Sequence, residues 1–381
     1  MASTSFTLAA LATMAVPGIT VISAREHSYG DSDELVAAVI QTDRGELIVR
    51  VPRDATAERS QSAELLGLAA LTVGARSMLP FEVPEVLGLT GAGQTRAVVY
   101  TYLSGEKVSN EALAPDALII GSIAATLRAI HSLPISLIAD AGLPNYSAEA
   151  CRENAARLVR RAHQTRLVPA AITSRWEQIL DDDAIWAFEP TVIHGNIEQE
   201  QFLVENDHVV GLLGWSELSV DDPARDLAWS LAAGEATFES LLSRYDQERD
   251  ITDLTSFAAR VHFYHELEVA KWLLHGIDTH DKRVIDDAVL MFDVLMDRLP
   301  TAPRTTVEHQ PLNVEQVEQL LDSTAVTKAL ETEGAAHTEA TGQVLESTVT
   351  EYNQDDTATA PIAIVTDETH GSSETGEQRG L

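Results

Sequence analysis

Between residues 191 and 228 the chain gathers the side chains best suited to chemistry: His194, Asn196, Glu198, Glu200 and Gln201, then Gly214 and Trp215, then Asp221, Asp222 and Asp226. Carboxylates at this density could take a proton from an attacking hydroxyl, or hold magnesium, a hard cation that prefers oxygen ligands. The residues between them point the other way. An Asn196 amide cannot accept a proton, and general-base assistance is typically worth ~10² to 10⁴ in rate. Gly214 supplies no side-chain oxygen. Gln201 keeps one carbonyl oxygen, on a side chain with more rotamer freedom to lose than an asparagine.

In order and spacing, Thr191-Val-Ile-His194-Gly195-Asn196, Gln201-Phe-Leu-Val, Gly214-Trp215 and Asp222-Pro-Ala-Arg-Asp226-Leu-Ala resemble the catalytic core of the aminoglycoside and macrolide phosphotransferases. The resemblance spans residues 8–300 and is strongest over 191–229. It implies an α+β, bilobal, protein-kinase-like fold. A small lobe of antiparallel sheet plus helix would occupy 1–103, a mainly helical lobe 104–300, and an acidic tail 301–381. It also implies that Asn196 stands where the family has its catalytic Asp, Gln201 where it has a metal-ligating Asn or His, and Gly214 where it has the Asp that holds magnesium. His194 and Asp226 match supporting positions; capping a helix start is the simplest physical role for Asp226.

Kinase-like enzymes carry a strand-borne Lys that contacts the nucleotide phosphates and pairs with a helix Glu. The first Lys in this chain is Lys107. By the resemblance Arg50 takes that place, a planar fork in place of a point charge, with Glu64 as its partner and Glu58 as the other candidate. The plain alternative for Arg50 is a strand residue with a solvated head. Tyr100, Tyr102 and Leu103 match the hinge, where extended backbone would hydrogen-bond a nucleobase. The resemblance thus implies ATP or GTP in an inter-lobe cleft, with Gln201 and Gly214 arguing against magnesium. The turn at 28–33, at the position of a phosphate loop, has one glycine and two carboxylates and makes a poor phosphate cradle.

Scaffold positions persist while chemical ones do not. The favoured expectation is a phosphotransferase-fold protein that binds a nucleotide, small molecule or partner without phosphoryl transfer. One alternative is an active ATP- or GTP-dependent small-molecule phosphotransferase that recruits Glu198, Glu200, Asp221 or Asp222 as base or metal ligand. The other is a scaffold whose acidic tail binds a protein partner.

These motifs need elements to hold them. A short helix from Leu8 should stop at Pro17-Gly18. Runs rich in β-branched residues predict strands at 19–25, 35–41, 47–51, 81–87 and 96–100. Apolar spacing predicts helices at 58–71 and 119–133, the second ending in His131, read as a structural histidine. One helix over 151–177 would carry six arginines, either attracting an anion or the acidic tail or, as favoured, forming a solvated face. His262 and His265 within 257–276 could tempt a zinc assignment, but with no clear third ligand they are read as polar positions of a packed helix.

Composition bounds the function. With 381 residues, 45% of them hydrophobic, the chain can build a sizeable core. A net charge of −33 excludes nucleic acid as a natural partner and disfavours anionic membranes. The lone Cys151 permits no intramolecular disulfide and fits a reducing cytoplasm. No apolar stretch is long enough for a membrane span. Residues 301–381 hold 15 acidic and 3 basic residues and a single aromatic, Tyr352, so disorder is expected there.

Overall fold

The computed structural model describes residues 4–27, 35–249 and 251–298, all within one compact unit of the chain. The expectations for the turn at 28–33 and the segment 301–381 lie outside these residues. The first section begins with helix α1 (Thr4–Ala15) and strands β1 (Val21–His27), β2 (Leu35–Thr42) and β3 (Gly45–Pro52). Helices α2 (Ala55–Ala70) and α3 (Val73–Arg76) follow, then strands β4 (Val86–Ala92) and β5 (Thr95–Thr101). The strands form one antiparallel sheet in the order β1-β2-β3-β5-β4.

The central strands β2, β3 and β5 read as near-continuous apolar runs because both faces are covered. On one face α1 sets Leu8, Ala9 and Ala12 against Ala38, Ile40, Leu47, Val49, Ala97 and Val99. On the other, α2 buries Ala57, Gln61, Glu64, Gly67 and Leu68, the helical spacing of one packed stripe. Asp54 starts α2 by accepting from the backbone N–H groups of Thr56 and Ala57, both at 2.9 Å.

The strand expected at 81–87 lies instead at Val86–Ala92. Pro84 lacks an N–H for a ladder, and the Arg76 guanidinium takes the carbonyls of Val83 and Pro84, at 2.7 and 3.1 Å. Gly88 and Gly91 within β4 dilute the strand signal there.

The second section opens with β6 (Glu106–Lys107) and continues through α4 (Leu118–His131), α5 (Ser136–Asp140), α6 (Ala148–Gln164) and α7 (Ala170–Asp181). It then runs through β7 (Thr191–Ile193), β8 (Phe202–Glu205), β9 (His208–Leu212) and β10 (Ser219–Asp221), and ends with α8 (Glu235–Arg249), α9 (Leu254–Asp278) and α10 (Lys282–Arg298). β7 pairs with β10, and β8 sits between β6 and β9. These short ladders hold the loop after β7 and the turn after β9 side by side. Trp176, Trp215, Tyr245, Phe263 and Phe292 fill the helical core around them.

The single helix expected over 151–177 is two, α6 and α7, broken at Arg166 (φ 59°) and Pro169. Its arginines are largely satisfied locally: Arg152 by the carbonyl of Leu180 and by Asp183, Arg160 by Glu153, and Arg175 by Glu266. That is the solvated, internally paired face. Among the described residues no helix is long and apolar enough to cross a membrane, and no cluster of three metal-ligating side chains occurs. His262 pairs with Glu235 at 3.3 Å.

Candidate functional site

Asp226 organises the loop after β7. Its two carboxylate oxygens accept the backbone N–H groups of His194 and Gly195, each at 2.8 Å. The Nε2 of His131, on α4, lies 3.0 Å from the same carboxylate, while its Nδ1 meets the Tyr245 hydroxyl at 2.7 Å. Asp226 and His131 are fully buried. Burial pushes the Asp226 carboxyl up, but the His131 hydrogen bond and the loop N–H groups outweigh it and hold the group below the ordinary carboxylate range. Burial likewise lowers His131 despite Asp226. A neutral ring donating from Nε2 and accepting at Nδ1 satisfies both contacts. The helix-capping role expected of Asp226 belongs instead to Asp222, which accepts from the N–H of Ala224 at 3.0 Å at the start of the 3₁₀ run Pro223–Ala233.

His194 supports the same loop from its side chain. Its Nε2 reaches the carbonyl of Leu213 at 2.9 Å, and its ring meets Trp215 edge to face with centroids 4.7 Å apart. The turn at 214–217 is thereby tied to the loop at 194–196. Helix α2 closes on it from the other side: a Cβ on Gly67 would lie 2.1 Å from the Trp215 carbonyl oxygen, so only glycine permits this approach. Arg225, unforeseen in the sequence, adds a third tie. It binds Asp221 at 2.6 Å, Glu217 at 3.2 Å and the carbonyl of Gly195 at 3.2 Å.

The positions for chemistry are arranged otherwise. Asn196 is exposed, with no hydrogen bond from its side chain among the described residues. Gln201 and Glu198 form a closed capping box: the Gln201 carbonyl oxygen accepts the Glu198 backbone N–H at 3.1 Å, and the Glu198 carboxylate caps the Gln201 N–H in return. Gly214 is left-handed (φ 86°), and a Cβ built on it would lie 2.7 Å from Nε2 and 2.9 Å from Cδ of Gln201. The Gln201 amide thus fills the space where a side chain at 214 would begin.

The suggested replacement ligands are engaged as well. Asp222, expected as a possible substitute metal ligand, is fully buried and paired with Arg260 at 2.6 Å. Burial pushes its carboxyl up against the pull of Arg260. Glu200 pairs with Lys107 at 3.2 Å. Glu198 is raised by burial and by the carboxylates of Glu200 and Glu268.

The residues matched to the strand cation and the hinge lie together around a cleft. Arg50, on β3, lies inside the protein, not in solvent, with its guanidinium 2.9 Å from Glu64 of α2 and 3.9 Å over the ring of Tyr100. The other candidate, Glu58, belongs to Arg96. A cleft of about 560 Å³ opens in front of this pair, lined by Arg50, Tyr100, Tyr102 and Leu103, with Glu64 behind Arg50. His27, Ile48, Lys107, Val108 and Leu213 also line it and were not foreseen as a group. Lys107 reaches the wall because β6 pairs with β8, a long-range link with no local signature. Glu200 lines the cleft; Asn196, Gln201 and Gly214 do not.

An antiparallel sheet followed by a mainly helical section, with a cleft lined by β3 and β5 and an Asp-anchored loop after β7, is a kinase-like arrangement of the phosphotransferase type. Residues 25–260 match the phosphotransferase enzyme family, and the chain belongs to it. Among curated proteins it is 27% identical over 206 residues to the uncharacterized protein YcbJ of Bacillus subtilis (strain 168), covering 52% of this chain and 67% of that one. Among solved structures it resembles a macrolide 2'-phosphotransferase type I, with TM-score 0.61 and 24% identity over 75% of this chain and 95% of that one. It also resembles the GDP and kanamycin complex of APH(2")-IIia, with TM-score 0.65 and 15% identity over 77% and 99%. At these identities the likeness concerns the fold.

Proposed function

We propose that this family member is a pseudokinase: its cleft holds a nucleotide-type or other small-molecule ligand and transfers no phosphoryl group. The reading is carried by the lack of a carboxylate at both 196 and 214, with the Gln201 amide lying beside Gly214 and its carbonyl oxygen bound to the Glu198 N–H. Phosphoryl transfer depends on metal and positioning for nearly all of its rate enhancement, and Asn196 adds no base. Support for a retained ligand site comes from the formed Arg50–Glu64 pair and the open cleft. Solved relatives in complex with GDP and with ADP support the nucleotide class.

The test is phosphoryl transfer and nucleotide hydrolysis by the purified full-length chain with ATP and with GTP, each with magnesium. The expected result is no turnover above the protein-free rate. Magnesium-dependent turnover that disappears in Glu198→Gln or Glu200→Gln would replace this reading with an active small-molecule phosphotransferase using those carboxylates.

A further inference from the structure

We propose that the outer edge of β4 is a docking edge for the chain's own segment Pro361-Ile-Ala-Ile-Val365, which lies outside the described residues and adds there as a further strand of the sheet. The proposal is independent of what the cleft binds or transfers. β1 and β4 are the two outermost strands of that sheet. An outermost strand presents a row of backbone N–H and C=O groups to which another chain can pair, and charged side chains are the usual guard against it. β1 carries that guard in Arg25, Glu26 and His27. β4, which reads Val-Leu-Gly-Leu-Thr-Gly-Ala, has no charged residue and no proline.

The side chains of β4 are open as well. Gly88 faces α1, where an added Cβ would lie 2.1 Å from the Ala15 carbonyl oxygen. Leu87 and Leu89, its neighbours in sequence, point to the opposite face by the alternation of a strand. There α2 packs on β3 and β5. Val98 of β5, opposite Leu89 in the ladder, is fully buried, whereas Leu87 and Leu89 are 40% and 52% exposed. An unguarded edge beside two open leucines suits a short β-branched strand: main-chain pairing supplies affinity, and alternate side chains set the register.

Residues 299–381 contain one segment of that chemistry. Their longest uncharged run is 357–366, between Asp356 and Asp367, and it holds the only isoleucines beyond residue 298, Ile362 and Ile364. Thr, Ile and Val are the residue types favoured in strands, and a spacing of two puts both isoleucines on one face, to meet Leu87 and Leu89. The roughly 60 residues that join Arg298 to this segment are enough to reach any face of the body. The tether makes the pairing intramolecular. Pairing with a second copy would instead bring together two chains that each carry a net charge of −33.

The experiment is hydrogen exchange read by mass spectrometry on the full-length native protein and two full-length variants, each at two protein concentrations about tenfold apart. One variant is Ile362→Asp with Ile364→Asp, which leaves the sheet untouched; the other is Leu89→Lys. Amides of residues 86–91 are expected to exchange at least about tenfold slower in the native protein than in the isoleucine variant. Amides of 362–366 should be slowed to a similar degree in the native protein relative to Leu89→Lys. Exchange in β1 should be the same in all three proteins, and both protections should be independent of concentration. Equal exchange of residues 86–91 in the native protein and the isoleucine variant overturns the proposal. Protection of 86–91 that survives the isoleucine variant and grows with concentration assigns the edge to a second copy and overturns it too.

Discussion

Two neighbouring regions of one loop system have met opposite fates. Around Asp226, a buried carboxylate takes two backbone N–H groups and a histidine, and His194, Trp215 and Arg225 fasten the adjoining turns. Around Asn196, Gln201 and Gly214, the residues are exposed, self-satisfied by a capping box, or without a side chain. The first region holds the loop in place; the second lies at its surface. The Asp226 carboxylate sits where its removal would orphan buried donors; around Asn196 and Gly214 no carboxylate carries such a duty.

The comparison breaks first at Asp226. In Asp226→Ala the N–H groups of His194 and Gly195 and the Nε2–H of His131 lose their acceptor in a site without water access. The expected loss is about 3–5 kcal/mol of unfolding free energy, read from urea denaturation. A loss below about 1 kcal/mol would mean that the region is not the anchor described.

The next test rebuilds the chemical region. Asn196→Asp with Gly214→Asp alone should gain less magnesium-nucleotide affinity, because residue 214 sits at φ 86° and its new Cβ requires the flexible Gln201 amide to swing away. Adding Gln201→Asn removes that obstruction, and aspartate tolerates the left-handed backbone at 214 better than most residues. The triple variant should gain about tenfold or more in magnesium-dependent nucleotide affinity by calorimetry. No gain in the triple variant would locate the loss in the cleft walls and not in the metal position.

Much of this was legible in local sequence. The spacing from His194-Gly195 to Asp222-Pro-Ala-Arg-Asp226 marked the loop and its supporting Asp, while the Arg50–Glu64 pair came only from the family resemblance, with Glu58 and a solvated Arg50 left open. What was hidden is long-range or compensatory. Lys107 meets Glu200 across 93 residues through β6–β8 pairing, and Arg260 meets Asp222 across 38 through the fold of α9. Asp222 therefore read as a free ligand until its partner was placed. Gln201 and Gly214 read as two separate departures in the sequence; in the fold the Gln201 amide lies where a Cβ on residue 214 would come within 2.7 Å of it.

Acid provides a smaller test of the anchor. His131 and His194 are fully buried, and burial lowers both below the model-compound value of 6.5. The unfolded chain takes up protons below about pH 6.5 while the folded rings resist, so their contribution is complete above that pH and declines as pH falls toward the folded values. Each histidine contributes a slope of up to about 1.4 kcal/mol per pH unit. Urea midpoints at about pH 7.5 and 5.5 should separate less in His131→Gln than in the native sequence. Identical separations would show that His131 is not held neutral.

The smallest effect is expected at Asn196, the proposed base position. Asn196 is exposed, its side chain makes no hydrogen bond among the described residues, and it does not line the cleft. Asn196→Ala should therefore change unfolding free energy by no more than about 0.5 kcal/mol, since surface substitutions away from buried partners rarely do more. Ligand affinity should also stay within about twofold. The two readouts sharpen the comparison in different directions. A stability loss above about 1 kcal/mol would move Asn196 into the scaffold alongside Asp226. A selective loss of affinity, with stability unchanged, would mean that the bound ligand reaches past the cleft to the old base position, and that Asn196 is a contact residue of the site.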